Sequence, residues 1–387
     1  MPHRQHHKSM PATREPTALL SVDRAVFELR RGRVVCVAAA DGARALVMAA
    51  EGASAQSLSD LQGLAGTAPV LAITRRRAEV LHLSGDAIGG SDAVLTLTFE
   101  GGVDAETMRR LADPLEDQND ADLGRTTAHA APQHGAECAA VGLAKIARLL
   151  PAALVAPIRD LDASDLAAWA ARRNLMLVDA GDVFQFESTA ARTLGRVAEA
   201  RVPLEDAENT QIIAYRPQGG GLEHLAIVIG DPAQADKPPL VRLHSECFTG
   251  DLLGSLRCDC GDQLRGAIQA IAKDGAGVLL YLAQEGRGIG LVNKLRAYTL
   301  QDRGLDTLDA NEQLGFDADE RVYLPAAHML ADLGLTKVRL LTNNPDKVEA
   351  LAQSHIEVVE RVSHAFPANK HNEAYLQTKK VKGGHLF

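Results

Sequence analysis

Three of the five cysteines in this 387-residue sequence, Cys247, Cys258 and Cys260, fall within fourteen positions. Three thiolates suit zinc, and three protein ligands leave one coordination position open, which is the pattern of a catalytic site. Cys258 and Cys260 are one residue apart, so on an extended strand both sulfurs face the same way, and Cys247 closes the trio from a preceding loop. Two other readings stay open: a structural zinc closed by His244, or ordinary buried thiols. Near the trio lie Arg242 and Arg257, and Gln284-Glu-Gly-Arg-Gly-Ile-Gly290 adds Arg287 in a glycine-rich turn. Guanidinium groups match phosphate oxygens with paired donors, and glycines between a strand and a helix let backbone N–H groups approach a phosphate. The same turn can exist for steric reasons alone. Ala318-Asp-Glu-Arg321 and Thr342-Asn-Asn-Pro-Asp-Lys347 add a carboxylate, further cations and a polar strand end. Their plainer roles are a salt-bridged helix start and an asparagine cap before Pro345.

The elements that must hold these groups follow from hydrophobic spacing. Strands are expected at Val34–Val37, Pro69–Thr74, Leu175–Val178, Leu225–Ile229, Leu240–His244, Val278–Leu282, Val338–Leu341 and Ile356–Glu360. Helices are expected over Ala139–Leu150, the stretch from Leu264 to Gly275, Ile289–Asp302, Pro325–Leu333 and Pro345–Gln353. Strand alternating with helix after Arg201 implies parallel pairing in a layered α/β structure, with functional loops at the carboxyl ends of the strands. The turn at Gln284–Gly290 and the stretch Thr342–Lys347 occupy such ends. Length favours two mixed αβ domains: an arm at residues 1–19, a first domain at 20–190 and a second at 195–387, with Ser188–Ala200 as a short linker or leading segment. The run Glu116–Asp122 reads as a solvated acidic loop.

Composition narrows the function classes. Hydrophobic residues make up 46% and charged residues 24%, as in soluble globular chains. A net charge of −9 argues against binding along a nucleic-acid backbone. The first nineteen residues lack the apolar core of a signal peptide, and no run of eighteen apolar residues follows, so the reading is a cytoplasmic protein without a membrane partner. In that compartment clustered cysteines indicate metal or catalysis rather than disulfides.

Taken together, His244-Ser-Glu-Cys, Arg257-Cys-Asp-Cys-Gly, Gln284-Glu-Gly-Arg, Ala297-Tyr-Thr-Leu-Gln-Asp, Ala318-Asp-Glu-Arg, Leu340-Leu-Thr-Asn-Asn-Pro and Gly384-His-Leu resemble GTP cyclohydrolase II. The resemblance covers nearly all of Arg201–Phe387. It implies zinc-dependent opening of the guanine imidazole ring of GTP, with release of formate and pyrophosphate and a diaminopyrimidine ribosyl phosphate that begins riboflavin biosynthesis. It also implies one zinc per chain on Cys247, Cys258 and Cys260, magnesium with the GTP phosphates, and a homodimer. Arg242, Leu243, His244, Ser245, Glu246, Gln263, Glu285, Gly286, Arg287, Thr307, Thr342 and Lys347 match GTP contacts. Asp319 matches a proton acceptor, Tyr298 a tyrosine beside the metal, and Arg321 a nucleophile toward the α-phosphorus. A clamp on the α-phosphate explains Arg321 equally well, because an arginine with pKa above 12 is a poor nucleophile. Ala283 stands where many relatives carry arginine.

Residues 30–37, 46–51 and 139–158 resemble dihydroxybutanone phosphate synthase. Where that family has a dense acidic run, this chain has Ala38–Ala45, and its Gly-His-Thr-Glu signature is reduced to His134-Gly-Ala-Glu137. The expectation is a degenerate first domain that cannot hold magnesium through oxygen ligands. Competing functions for the whole chain are a guanine-nucleotide ring-opening relative with another product, and a zinc-stabilised nucleotide-sensing module.

Overall fold

The computed structural model describes residues 17–83, 94–100, 102, 104–116, 126–367 and 372. Residues 1–16 of the expected arm, most of the acidic run and the Gly384-His-Leu match lie outside the described residues. Thr17–Leu19 belong to the first helix, α1 (Thr17–Arg30), whose Leu19, Val22, Val26 and Leu29 recur at helical spacing and are buried.

Two seven-stranded sheets follow one another along the chain. The first contains β1 (Val35–Ala38), β2 (Arg44–Ala49), β3 (Val70–Thr74), β4 (Val94–Phe99), β5 (Thr126–Ala130), β6 (Ala152–Pro157) and β7 (Met176–Asp179), in the order β5-β4-β3-β6-β2-β1-β7. Only the β1–β7 pair is parallel. Alternation sends Cys36, Leu46 and Met48 to one face and Val35, Val37 and Val47 to the other, and both faces are covered. Helices α2 (Ala55–Ala65), α4 (Ala105–Ala112) and α6 (Leu166–Arg172) cover the first face, while α1, α5 (Ala136–Ile146) and α7 (Ala180–Arg192) cover the second. Helix α3 (Arg75–Val80) follows β3, capped by the Thr74 side chain.

The stretch expected as a linker is regular structure. Ser188–Arg192 finish α7, and β8 (Leu194–Arg201) pairs at once with β9 (Thr210–Pro217). Its weak apolar pattern hid a strand because most of β8 is exposed. The second sheet continues with β10 (His224–Ile229), β11 (Leu240–Ser245), β12 (Gly277–Leu282), β13 (Lys337–Leu341) and β14 (Glu357–Val362), in the order β14-β13-β11-β12-β10-β9-β8. Strands β14, β13, β11 and β12 run parallel, and β12, β10, β9 and β8 pair antiparallel, so parallel pairing holds for half of this sheet.

Helices α8 (Cys260–Asp274), α9 (Leu291–Asp302), α10 (Thr307–Gln313), α11 (Leu324–Asp332) and α12 (Pro345–Gln353) complete the chain. Between β12 and α11 the chain leaves the second sheet. Ile289, Ala297, Leu300, Ala310, Leu314 and Phe316 form a separate small core there, joined by Leu150 from the first half.

Candidate active site

Strands β11, β12 and β13 end at one edge, and their carboxyl-end loops meet in a cleft. Arg242, His244 and Ser245 come from β11, Glu246 and Cys247 from the loop after it, and Glu285, Gly286 and Arg287 from the turn after β12. Tyr298 projects from α9, Thr307 opens α10, Gln263 lies in the first turn of α8, and Thr342 and Lys347 follow β13. Arg321 reaches the cleft from the extended stretch before α11.

Two residues stand apart from the wall. The Leu243 side chain is buried in the core, and its carbonyl accepts a 2.8 Å hydrogen bond from Lys347 Nζ. Asp319 accepts from Arg321 Nε at 2.8 Å, and that guanidinium outweighs burial and holds the carboxyl below its ordinary range.

The three cysteine sulfurs lie within 4.8 Å of one another, with Cys247 and Cys258 Sγ at 3.7 Å. Ligands about 2.3 Å from a tetrahedral zinc are separated by roughly 3.8 Å, so the trio fits that ion. The local conformation differs from the expected strand. Cys258 lies in a loop and Cys260 opens α8, while a π-type turn over Phe248–Leu252 brings Gly250 beneath the sulfurs. A Cβ on Gly250 would sit 2.8 Å from Cys258 Sγ and 3.0 Å from Cys247 Sγ, so a side chain there would fill the space. His244 does not close the set. Its Nε2 faces Asp251 at 3.0 Å, and burial pushes its pKa down.

Asp251 fixes this corner, accepting also from Cys247 N at 3.0 Å and Tyr281 Oη at 2.9 Å. The sequence reading missed it, and it missed Lys294. Lys294 Nζ donates to Cys247 Sγ at 3.0 Å, Thr249 Oγ1 at 3.0 Å and Glu285 Oε1 at 2.8 Å. Sulfur hydrogen bonds from Cys258 and Cys260, then this ammonium, hold Cys247 well below the usual thiol range. Their hydrogen bonds to that thiolate, and then burial, hold Cys258 and Cys260 up. The available signal was spacing: Lys294 precedes Tyr298 by four residues and shares its helix face.

The opposite wall is cationic and polar. Arg242, its pKa lowered to about 10 by burial, donates to Leu341 O at 2.9 Å and to Gln263 Oε1. Arg287 and Arg321 stand beside Asp319, and Arg257 lies over the Tyr298 ring at 4.8 Å. Asn344 caps α12 through Asp346 N at 2.9 Å, so the plain role expected for it coexists with a place on the wall. Among the described residues, Arg242 Nε, His244 Nδ1 and Ser245 Oγ are buried without a hydrogen-bond partner. Buried polar atoms left unmatched beside a cleft are places for a polar ligand.

Comparison with known proteins places this arrangement. Residues 195–363 match the family model for GTP cyclohydrolase II. The chain is 57% identical over 374 residues to GTP cyclohydrolase-2 of Azospirillum brasilense, covering 96% of this chain and 95% of that protein. It is 39% identical to GTP cyclohydrolase-2 of Xylella fastidiosa, over 95% of this chain and 88% of that one. Riboflavin biosynthesis protein RibBA of Chlorobium phaeovibrioides is 46% identical over 254 residues, 64% of this chain and 62% of that protein. These matches define a cyclohydrolase, and its cleft sets three cysteines beneath a cationic wall. The chain belongs to the GTP cyclohydrolase II family.

Proposed function

We propose that this chain opens the imidazole ring of GTP and releases formate and pyrophosphate, the first step of riboflavin biosynthesis, with one zinc on Cys247, Cys258 and Cys260. The observation that carries this reading is the single cleft in which a three-sulfur cluster faces Arg242, Arg287, Arg321 and Lys347. A bound zinc supplies Lewis acidity toward the imidazole carbon and lowers the pKa of water.

The chain's own residues do the remainder. Lys294 offsets thiolate charge and orients Cys247, while Asp251 holds the Cys247 backbone. Glu285 accepts from Phe248 N at 2.6 Å and Gly286 N at 2.8 Å, tying the glycine-rich turn to the cysteine loop. Arg242, Ser245 and Gln263 supply polar atoms for the heterocycle, and Arg287, Arg321 and Lys347 supply charge for the triphosphate, with magnesium accompanying the phosphates. Asp319 takes up a proton, and Arg321 clamps the α-phosphate, where charge-assisted donors stabilise the transition state.

The catalytic domain is residues 195–387. The domain at 20–190 does not make dihydroxybutanone phosphate: Asp41 is the one acid between β1 and β2, and its Oδ1 accepts from Ala43 N at 2.9 Å within that turn. A homodimer is supported by exposed Leu252, Leu253 and Leu256 ahead of Cys258 and by exposed Val292 and Leu295 of α9, apolar side chains that a second copy could cover. The biosynthetic relatives support a cytoplasmic location, and among the described residues no helix is long and apolar enough to cross a membrane. Incubation of purified protein with GTP and magnesium, followed by mass analysis, tests the reading. Formate and the diaminopyrimidine phosphate over many turnovers are expected. Another product, or binding without turnover, would overturn it.

A further inference from the structure

The turn Gln284–Gly290 carries three of the residues assigned to GTP, and its backbone is demanding. Gly286, Arg287, Gly288 and Gly290 all have positive φ, Arg287 at 63°. A non-glycine residue in that region is held there by its surroundings. Those surroundings include one side chain from the first sheet's half of the chain.

Arg148 lies just beyond α5 and donates from Nη2 to Ala283 O at 2.6 Å, at the point where β12 becomes the turn. The other side of the same residue is fixed by His224, whose Nδ1 accepts from Ala283 N at 3.1 Å. At the far end of the turn, the Arg148 carbonyl accepts from Asn293 Nδ2 at 3.0 Å, and Asn293 is fully buried. Between these two bonds the Arg148 stem lies over Gly290, where a Cβ would come within 2.9 Å of Arg148 Cβ and Cδ. One residue of the first half therefore grips both ends of the turn from outside. It does not line the cleft.

We propose that Arg148 is a positioning residue for the GTP site, closing the ends of the Gln284–Gly290 turn so that Glu285, Gly286 and Arg287 are presented in one conformation. The first half of the chain then serves the reaction through this contact, independently of any chemistry of its own. The kinetic part rests on the GTP reading given above, and the exchange measurement below does not.

Arg148 itself has φ 58°, so Arg148→Gly removes the side chain at a backbone position that glycine adopts freely. In the full-length chain this variant should lower kcat/KM for GTP by about 10–100-fold, the scale of a displaced catalytic group. Zinc content should be retained, and millimolar guanidinium should restore part of the lost rate. Amide exchange should accelerate across residues 284–290 and stay unchanged in the first sheet. Arg148→Met, which keeps the stem over Gly290 and loses the donor, serves if the glycine variant folds poorly, and should show the same local exchange. Wild-type kcat/KM with unchanged exchange at 284–290 would overturn the proposal. So would a loss of rate that guanidinium does not relieve and that comes with faster exchange throughout the chain. A wild-type chain that released no formate would refute the functional reading and leave the exchange measurement to decide on Arg148.

Discussion

Gly250 illustrates how little room the sulfur cluster has. An added methyl would meet Cys258 Sγ at 2.8 Å and Cys260 Cβ at 3.0 Å, and the π-type turn beneath it is held by Asp251. Gly250→Ala should therefore leave the fold intact and abolish zinc retention against a chelator, measured by metal analysis beside circular dichroism. Retention of one zinc per chain would show that the trio tolerates a different spacing. Arg321 belongs to the other chemistry. Arg321→Ala should reduce pyrophosphate release by about 10²–10³, the usual loss for a transition-state donor. Formate release will fall in parallel if phosphorus is attacked before the ring opens, and will persist if the two steps are independent. Unchanged pyrophosphate release would return Arg321 to the plain role of a salt bridge with Asp319. Arg321 was legible in the sequence within Ala318-Asp-Glu-Arg321, whereas Gly250 came to light only through its approach to the sulfurs. Lys294 was not legible either, because one lysine on a helix carries no mark of the thiolate it touches.

At the scale of elements, β10 supplies a histidine that must stay neutral. Burial, then the neighbouring Arg148, lower the His224 pKa from 6.5 to about 4. Above pH 6.5 neither the folded nor the unfolded chain protonates this group, and its full contribution to stability is present. Between 6.5 and 4 the unfolded chain takes up a proton that the folded chain refuses, so stability falls as pH falls through that window. His364, lowered to about 4 chiefly by burial, acts in the same direction. Urea midpoints for His224→Asn should fall less steeply between pH 6.5 and 4 than those of the unaltered chain; parallel slopes would sink the assignment. Strands β11, β12 and β13 were legible because each carries buried apolar residues followed by a turn, and the exposed β14 was legible from its Val358-Val359 pair after Ile356. Strand β8 was not legible, since an exposed edge strand carries little hydrophobic signal and is recognised only by its pairing with β9. The local shape at Cys258 and Cys260 was misjudged for a related reason: a two-residue spacing suits a strand, but a loop running into a helix start brings the same sulfurs together.

Across the whole molecule, the first half holds the site-bearing excursion at several points. Thr74 Oγ1 donates to Gly315 O at 2.6 Å, Lys145 Nζ reaches Glu320 at 2.7 Å, and Arg296 pairs with Glu51 at 3.4 Å. Arg77 is buried between the halves, donating to Leu111 O at 2.7 Å and Gln313 O at 3.1 Å, with burial lowering its pKa to about 10. Arg77→Met leaves both carbonyls unpaired, a cost of about 1–3 kcal/mol each. The unaltered chain should unfold in one transition. The variant should show a lower midpoint and separate transitions for the two sheets, read by calorimetry, whereas an unchanged single transition would mean the halves are coupled elsewhere. None of the contacts between the halves was legible in the sequence, where the partners stand more than two hundred residues apart or, for Lys145 and Glu320, 175 apart.

The order of these halves along the chain has a consequence during synthesis. Translation proceeds at roughly 5–20 residues per second, so Arg192, the end of the first half, leaves the ribosome about 5–20 s before Ala283 does. The surface bearing Thr74, Arg77, Lys145 and Arg148 is then ready as a template before the segment it receives has been made. Leu150 has no covering partner from the small core it later joins until residues 289–316 arrive.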